Sequence, residues 1–252
     1  MRTKIAKILI GIISFCFISY LVVHKPIAQD ISYHYFADAR ELFHIPNCLN
    51  TVSNVFFILV GVIGLIDLRR FTAERYLVSF KIAYIILFLG SILVGFGSGY
   101  YHLYPNNNTL IWDRLPMTLT FMALFSIVVA EFVSLNLGKK MFWPVICLGA
   151  ISVIYWAVTE TYHVGDLRPY VIIQFLPMLV IPIILLAFQS TFTPIYGYWL
   201  LFLCYLLAKL TEHFDVGIYH FLGFISGHSV KHILAACGLL LLSLTYKCRR
   251  HI

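Results

Sequence analysis

Charge is what this sequence has least of. Only 12% of its 252 residues are Asp, Glu, Lys or Arg, about half the share of a soluble domain. With 61% hydrophobic residues and a mean hydropathy of +0.88, that scarcity excludes a water-soluble globule and leaves an integral membrane protein. No C-x-x-C pair occurs among the six cysteines, Cys16, Cys48, Cys147, Cys204, Cys237 and Cys248, so they read as small apolar residues rather than a metal clip or a redox motif. There is no internal repeat, no low-complexity segment and no loop long enough for a separate soluble domain. The net charge of +7 therefore predicts anchoring and orientation in a bilayer, not a nucleic-acid partner.

Long apolar runs are what the chain has in abundance. A helix needs about 20 residues to cross the hydrocarbon, and eight stretches qualify, at about 6–23, 49–67, 80–101, 111–134, 142–159, 170–188, 195–211 and 228–246. The expected fold is an all-α membrane protein. Its basic residues are unevenly divided. Lys25, Arg40, Arg114, Arg168, Lys209 and Lys231 fall on one side, and the other twelve of the 18 on the opposite side, which predicts that both termini are cytoplasmic. The first stretch has the basic start of a signal peptide, but His24-Lys25-Pro26-Ile27-Ala28 is a poor cleavage site, so a retained helix is expected.

The remaining polar groups are sorted as well. All ten histidines except His251, and all eleven acidic residues except Asp67, Glu74 and Glu131, lie on the non-cytoplasmic side. Two pairs stand out there. His228 and His232 open the last stretch at i and i+4, one face of a helix. Ser98 and His102 have the same spacing at the end of the third. Asp113 follows a short turn later, at the start of the fourth. These five residues can converge just below the outer surface, and intramembrane His and Asp are by default functional candidates. Three imidazoles with one open position are the plan of a catalytic zinc site, in which zinc lowers the pKa of a bound water to about 7. Asp113 would then serve as base or orienter, and Ser98 would donate to a developing oxyanion. Plainer readings stand beside these. The histidines could be packed polar residues, Tyr100, Tyr101 and Tyr104 an aromatic belt, Asp113 a helix cap, and Ser98 bonded back to its own helix. Glu160 and His163 close the fifth stretch. Lys209, Glu212, His213 and Asp215 close the seventh, with Lys209–Glu212 spaced as an i,i+3 pair. Pro177 and Pro182 predict a kink in the sixth.

Taken in order, Asn50-Thr51-Val52-Ser53-Asn54, Gly97-Ser98-Gly99-Tyr100-Tyr101-His102, Asp113-Arg114-Leu115-Pro116-Met117 and Gly227-His228-Ser229-Val230-Lys231-His232 resemble the four signature elements of the CREST superfamily of membrane hydrolases. The resemblance is closest to its alkaline ceramidase branch in the bacterial form, over about residues 34–245. It implies a bundle of seven core transmembrane helices plus one additional N-terminal helix, divided as 1–30 for the added helix and linker and 31–252 for the catalytic domain. It implies zinc on His102, His228 and His232, with Ser98 and Asp113 beside the bound water. The reaction it implies is hydrolysis of the amide of a ceramide-like lipid to a sphingoid base and a fatty acid, in a bacterial inner membrane. Animal members carry an acidic calcium-binding cluster before the first core helix. Here Asp38, Glu41 and Asn47 stand in that region, as calcium ligands or as an ordinary interfacial loop. Two other functions remain open at this point: hydrolysis of a different acyl lipid, or a receptor or transporter with a metal site. The second needs polar groups along a path through the bilayer, and the inner half of this chain offers chiefly Glu131.

Overall fold

The structure, a computed structural model, describes residues 1–70 and 72–252. Helix α1 (Arg2–Val23) is followed by a linker and an irregular outer loop. Then come α2 (Cys48–Val52), α3 (Val55–Arg70), α4 (Lys81–Leu103), α5 (Asn107–Val128), α6 (Leu135–Thr161), α7 (Arg168–Ala187), α8 (Tyr196–His213), α9 (Asp215–Leu222) and α10 (Gly227–Cys248). Among the described residues seven helical segments are long and apolar enough to cross a membrane, with α2 and α3 together forming one of them. The fold is an all-α membrane protein, as expected. Helix α8 forms where the seventh stretch was read but is not among those seven, since Lys209, Glu212 and His213 crowd its outer end.

Two expected stretches differ in detail. The second is broken between α2 and α3, because Ser53 and Asn54 turn back on Asn50. The Ser53 hydroxyl and the Asn54 amide both donate to the Asn50 carbonyl, at 3.1 and 2.8 Å, in competition with helical bonding. The fourth starts earlier, at Asn107, under a capping box in which the Asn106 side chain accepts from the Thr109 amide and Thr109 bonds back to Asn106. It ends in a π-helical turn, Val129–Val133.

Helix α1 buries only Ala6 and Leu21 and packs on α7. Arg168 ties the two by donating to the His24 carbonyl at 2.6 Å while holding Asp166 at 2.8 Å. The main core lies between α3, α4, α5, α6 and α10, around Tyr84, Phe88, Ile127, Phe142 and Leu242. A smaller cluster of Phe36, Tyr101, Leu110, Val153 and Trp156 sits toward the outer end. Two close approaches set up that outer end. Pro116 has no N–H to give the Trp112 carbonyl, and this carbonyl instead faces Gly97, where a Cβ would collide with it. Helices α4 and α5 therefore close tightly one residue from Ser98. Gly227 likewise lets the start of α10 lie against the Thr211 carbonyl of α8.

At the opposite end the Glu131 carboxylate is fully buried. It accepts from Arg249 at 2.7 and 2.8 Å, from Tyr84 at 2.5 Å and from Tyr198 at 2.8 Å. Arg249 in turn stacks over Tyr246, 4.0 Å from its centroid. The strands β1 (Phe192–Thr193) and β2 (Arg250–His251) form a short antiparallel ladder beside it. Every oxygen of this carboxylate is matched, so the one acidic residue deep in the inner half serves packing rather than a conduit.

Candidate metal centre

The first turns of α10 are held from two directions. Ser226 caps the helix by accepting from the Ser229 amide. The Asp215 carboxylate, at the start of α9, accepts from the His228 amide at 2.7 Å and from the Ala37 amide at 3.0 Å. From α2, the Asn50 side-chain oxygen accepts from the Ser229 hydroxyl at 2.6 Å and the Ser226 hydroxyl at 3.3 Å. The last turn of α4 is held by Asn47, whose amide donates to the His102 carbonyl at 2.8 Å. These bonds orient backbone and leave the imidazoles free to face one another.

His102, His228 and His232 are all buried. Their ring centroids are 4.9, 4.9 and 5.0 Å apart, and one nitrogen from each lies within 4.8 Å of the others. Ligands around a tetrahedral ion at about 2.0–2.1 Å stand roughly 3.4 Å apart, a spacing that small ring movements reach from here. Both nitrogens of His102 and Nε2 of His228 have no hydrogen-bond partner. Buried imidazole nitrogens are ordinarily paired, so this set has the chemistry of ligands rather than of packed polar residues. His232 is oriented from behind. Its Nδ1 lies 2.9 Å from the Ser53 hydroxyl, which already donates to the Asn50 carbonyl. With the Ser53 proton on the Asn50 carbonyl, Nδ1 carries the ring proton and the Nε2 lone pair is left for a cation. Replacing Ser53 by Ala removes that orientation, and zinc affinity, measured by competition with a chelator, is expected to fall about 10–100-fold.

Ser98 and Asp113 are buried and face each other. Together with His232 they line a cavity of about 230 Å³. Asp113 is not the cap of α5, which is Asn106. Its lining combines the polar groups Arg114, Lys209, Glu212 and Lys231 with the apolar side chains of Phe57, Val94, Leu124, Leu201 and Leu239. A second cavity of about 40 Å³ shares Phe121, Leu124, Leu201 and Tyr205 with it and continues between α5, α7 and α8. Tyr100 and Tyr104 are exposed, whereas Tyr101 is buried and hydrogen-bonds His34 at 2.9 Å.

The three calcium candidates lie in the outer loop and at the start of α2. Asp38 is buried and gripped by Arg40 through bonds of 2.8 and 2.9 Å, and these bonds hold its carboxyl below the usual carboxylate range. Glu41 is exposed and lies nearest His44, at 3.8 Å. Asn47 donates its side-chain N–H to the His102 carbonyl. The three residues thus have three different partners, and a guanidinium sits at the one buried carboxylate. Of the other outer groups, Glu160 accepts from Asn107 at 2.7 Å, and His163 sits in a left-handed turn. Glu212 takes Lys209 as expected and also Lys231, each at 2.7 Å. The structural parts played by Asn50, Ser53, Asp215 and His34 were not assigned from the sequence. Asn50 and Ser53 were visible there only within the signature element Asn50–Asn54, with no role attached to either.

The fold and this centre define a class: a polytopic helical membrane protein that gathers three imidazoles and a carboxylate at the head of an apolar cavity. Within that class, the ceramidase family model matches residues 42–252, and the chain belongs to the ceramidase family. No curated protein matches the chain. Membership makes it a membrane hydrolase that cleaves the amide of ceramide, a carbon–nitrogen bond in a linear, non-peptide amide.

Proposed function

We propose that the chain is a zinc-dependent ceramidase whose catalytic groups are Asp113 and Ser98 and whose metal ligands are His102, His228 and His232. The observation that carries this reading is the convergence of three buried imidazoles, two of them with unpartnered nitrogens, beside the cavity that Ser98 and Asp113 line. A zinc ion held there would supply Lewis acidity toward a carbonyl oxygen and toward water. Asp113 takes a proton from the water as its oxygen bonds to the amide carbon. Ser98 donates to the carbonyl oxygen as negative charge collects on it. When the carbon–nitrogen bond breaks, Asp113 returns the proton to the departing nitrogen, and the products are a sphingoid base and a fatty acid. The apolar cavity takes the acyl chain, and its continuation between α7 and α8 admits the lipid from the side.

Residues 31–252 form the catalytic unit in this reading, and α1 is an added helix. Both termini are cytoplasmic, the site opens near the other face, and the membrane is a bacterial inner membrane. The test is direct. Purified protein in detergent is expected to release fatty acid from labelled ceramide, to stop when a chelator strips the metal, and to recover when zinc is restored. No release with zinc at stoichiometry would refute the assignment. The topology has its own test: a reporter fused after Ile252 is expected in the cytoplasm, and a reporter found outside inverts the arrangement.

A further inference from the structure

Two arginines are buried among the described residues, Arg114 and Arg249, and Arg114 is the one without a carboxylate partner. Arg40, Arg168 and Arg249 each hold one, at 2.7–2.8 Å; no carboxylate lies within 4.0 Å of Arg114 among the described residues. It is 7% exposed and lines the cavity beside Asp113. Its guanidinium is caged by rings, 4.4 Å from the Trp156 centroid and 4.9 Å from that of Tyr170. Its Nη2 donates to the Gln29 side chain, and its Nη1 has no partner. The charges around the cavity do not balance. Arg114, Lys209 and Lys231 face Asp113 and Glu212, and Glu212 is already shared by both lysines.

A buried cation with a spare donor and no carboxylate in contact is costly unless something supplies an acceptor. A planar guanidinium, fixed by stacking, matches the two oxygens of a carboxylate or phosphate. We propose that Arg114 forms an oxyanion subsite in this cavity, for the head of a single-chain anionic lipid. Two sources share that chemistry. One is the fatty-acid carboxylate, a charge absent from the amide and created beside Asp113 when it is cut; this source rests on the function proposed above. The other is a phosphate monoester carried by a lipid.

The test reads binding, not turnover. Calorimetry on the full chain in detergent compares palmitate, hexadecyl phosphate and hexadecanol, which share one chain and differ in the head. At least one anion is expected to bind about tenfold tighter than the alcohol, the effect of one charge-assisted hydrogen bond. Arg114→Gln is expected to erase that preference and Arg114→Lys to keep part of it. Palmitate binding tighter than the phosphate assigns the subsite to the product, and the reverse order to a phosphorylated lipid. Equal affinities for all three in the wild type overturn the proposal, and this comparison needs no variant to fold. An anion preference unchanged in folded Arg114→Gln overturns it too. An anion preference in a protein that fails to cleave ceramide would refute the proposed reaction and leave the subsite standing.

Discussion

His102→Ala is expected to lose zinc and ceramide hydrolysis together while the protein is still made and folded. The first half follows from geometry. The ligand set has two imidazoles on α10 and only one from α4, so truncating His102 leaves an i,i+4 pair with no third donor among the His, Cys, Asp and Glu side chains grouped there. Without the ion, the carbonyl and the water lose a stabilisation of several kcal/mol, and activity is expected to fall by about a thousandfold or more. The second half follows from the hydrogen-bond inventory. Neither ring nitrogen of His102 has a partner in the folded chain, so truncation breaks no bond. It costs the packing against Phe36, whose ring is 4.7 Å away, and the stability loss should stay within about 0.5–3 kcal/mol. Elemental analysis of the purified variant beside a thermal melt separates the two effects. Stoichiometric zinc in a folded, inactive His102→Ala would mean that the ion is held elsewhere, and the ligand assignment would fail.

What could be read in the sequence follows the reach of its local rules. The pairs Ser98/His102 and His228/His232 were visible because an i,i+4 spacing fixes a shared face whatever surrounds it. Their meeting could be inferred from the membrane side on which each stretch ends. Residues whose roles depend on distant partners were not visible. Glu131 looked like an isolated carboxylate because Arg249, its partner, lies 118 positions later. The charge count placed that arginine at the inner surface, not folded back into the core. Lys231 joins Lys209 on Glu212 from 19 positions away, which an i,i+3 rule does not reach. The break between α2 and α3 falls at the polar start of the second stretch, where side-chain bonding by Ser53 and Asn54 competes with the helix. The grip of Arg40 on Asp38 was likewise not visible, because nothing in composition tells whether a side chain two residues on points toward the carboxylate or into solvent.

The same question bears on Asp113, which has Arg114 beside it in sequence. Asp113 could matter as a base, or only as the opposite charge that makes Arg114 tolerable in the cavity. Asp113→Asn separates these roles. Asparagine keeps the volume and stays polar beside Ser98, so the lining of the cavity is conserved, but it cannot take a proton from water. If the carboxylate is the base, turnover is expected to fall about 10²–10⁴-fold, with zinc still stoichiometric and KM little changed, the pattern of an interaction made only as the reaction proceeds. The acid limb of the pH–rate profile should flatten, because the group whose protonation it reports is gone. Ser98→Ala, which removes one donor to the developing oxyanion, should cost about 10²–10³-fold and leave that acid limb in place. If Asp113 were only a counter-charge, the Asn variant would keep near-normal turnover with its pH profile unshifted, or would lose folded protein instead. Either result would move the proton acceptor elsewhere. Glu212 would then be the carboxylate to examine, since it is the other one lining the cavity, although both of its lysine partners would have to release it first.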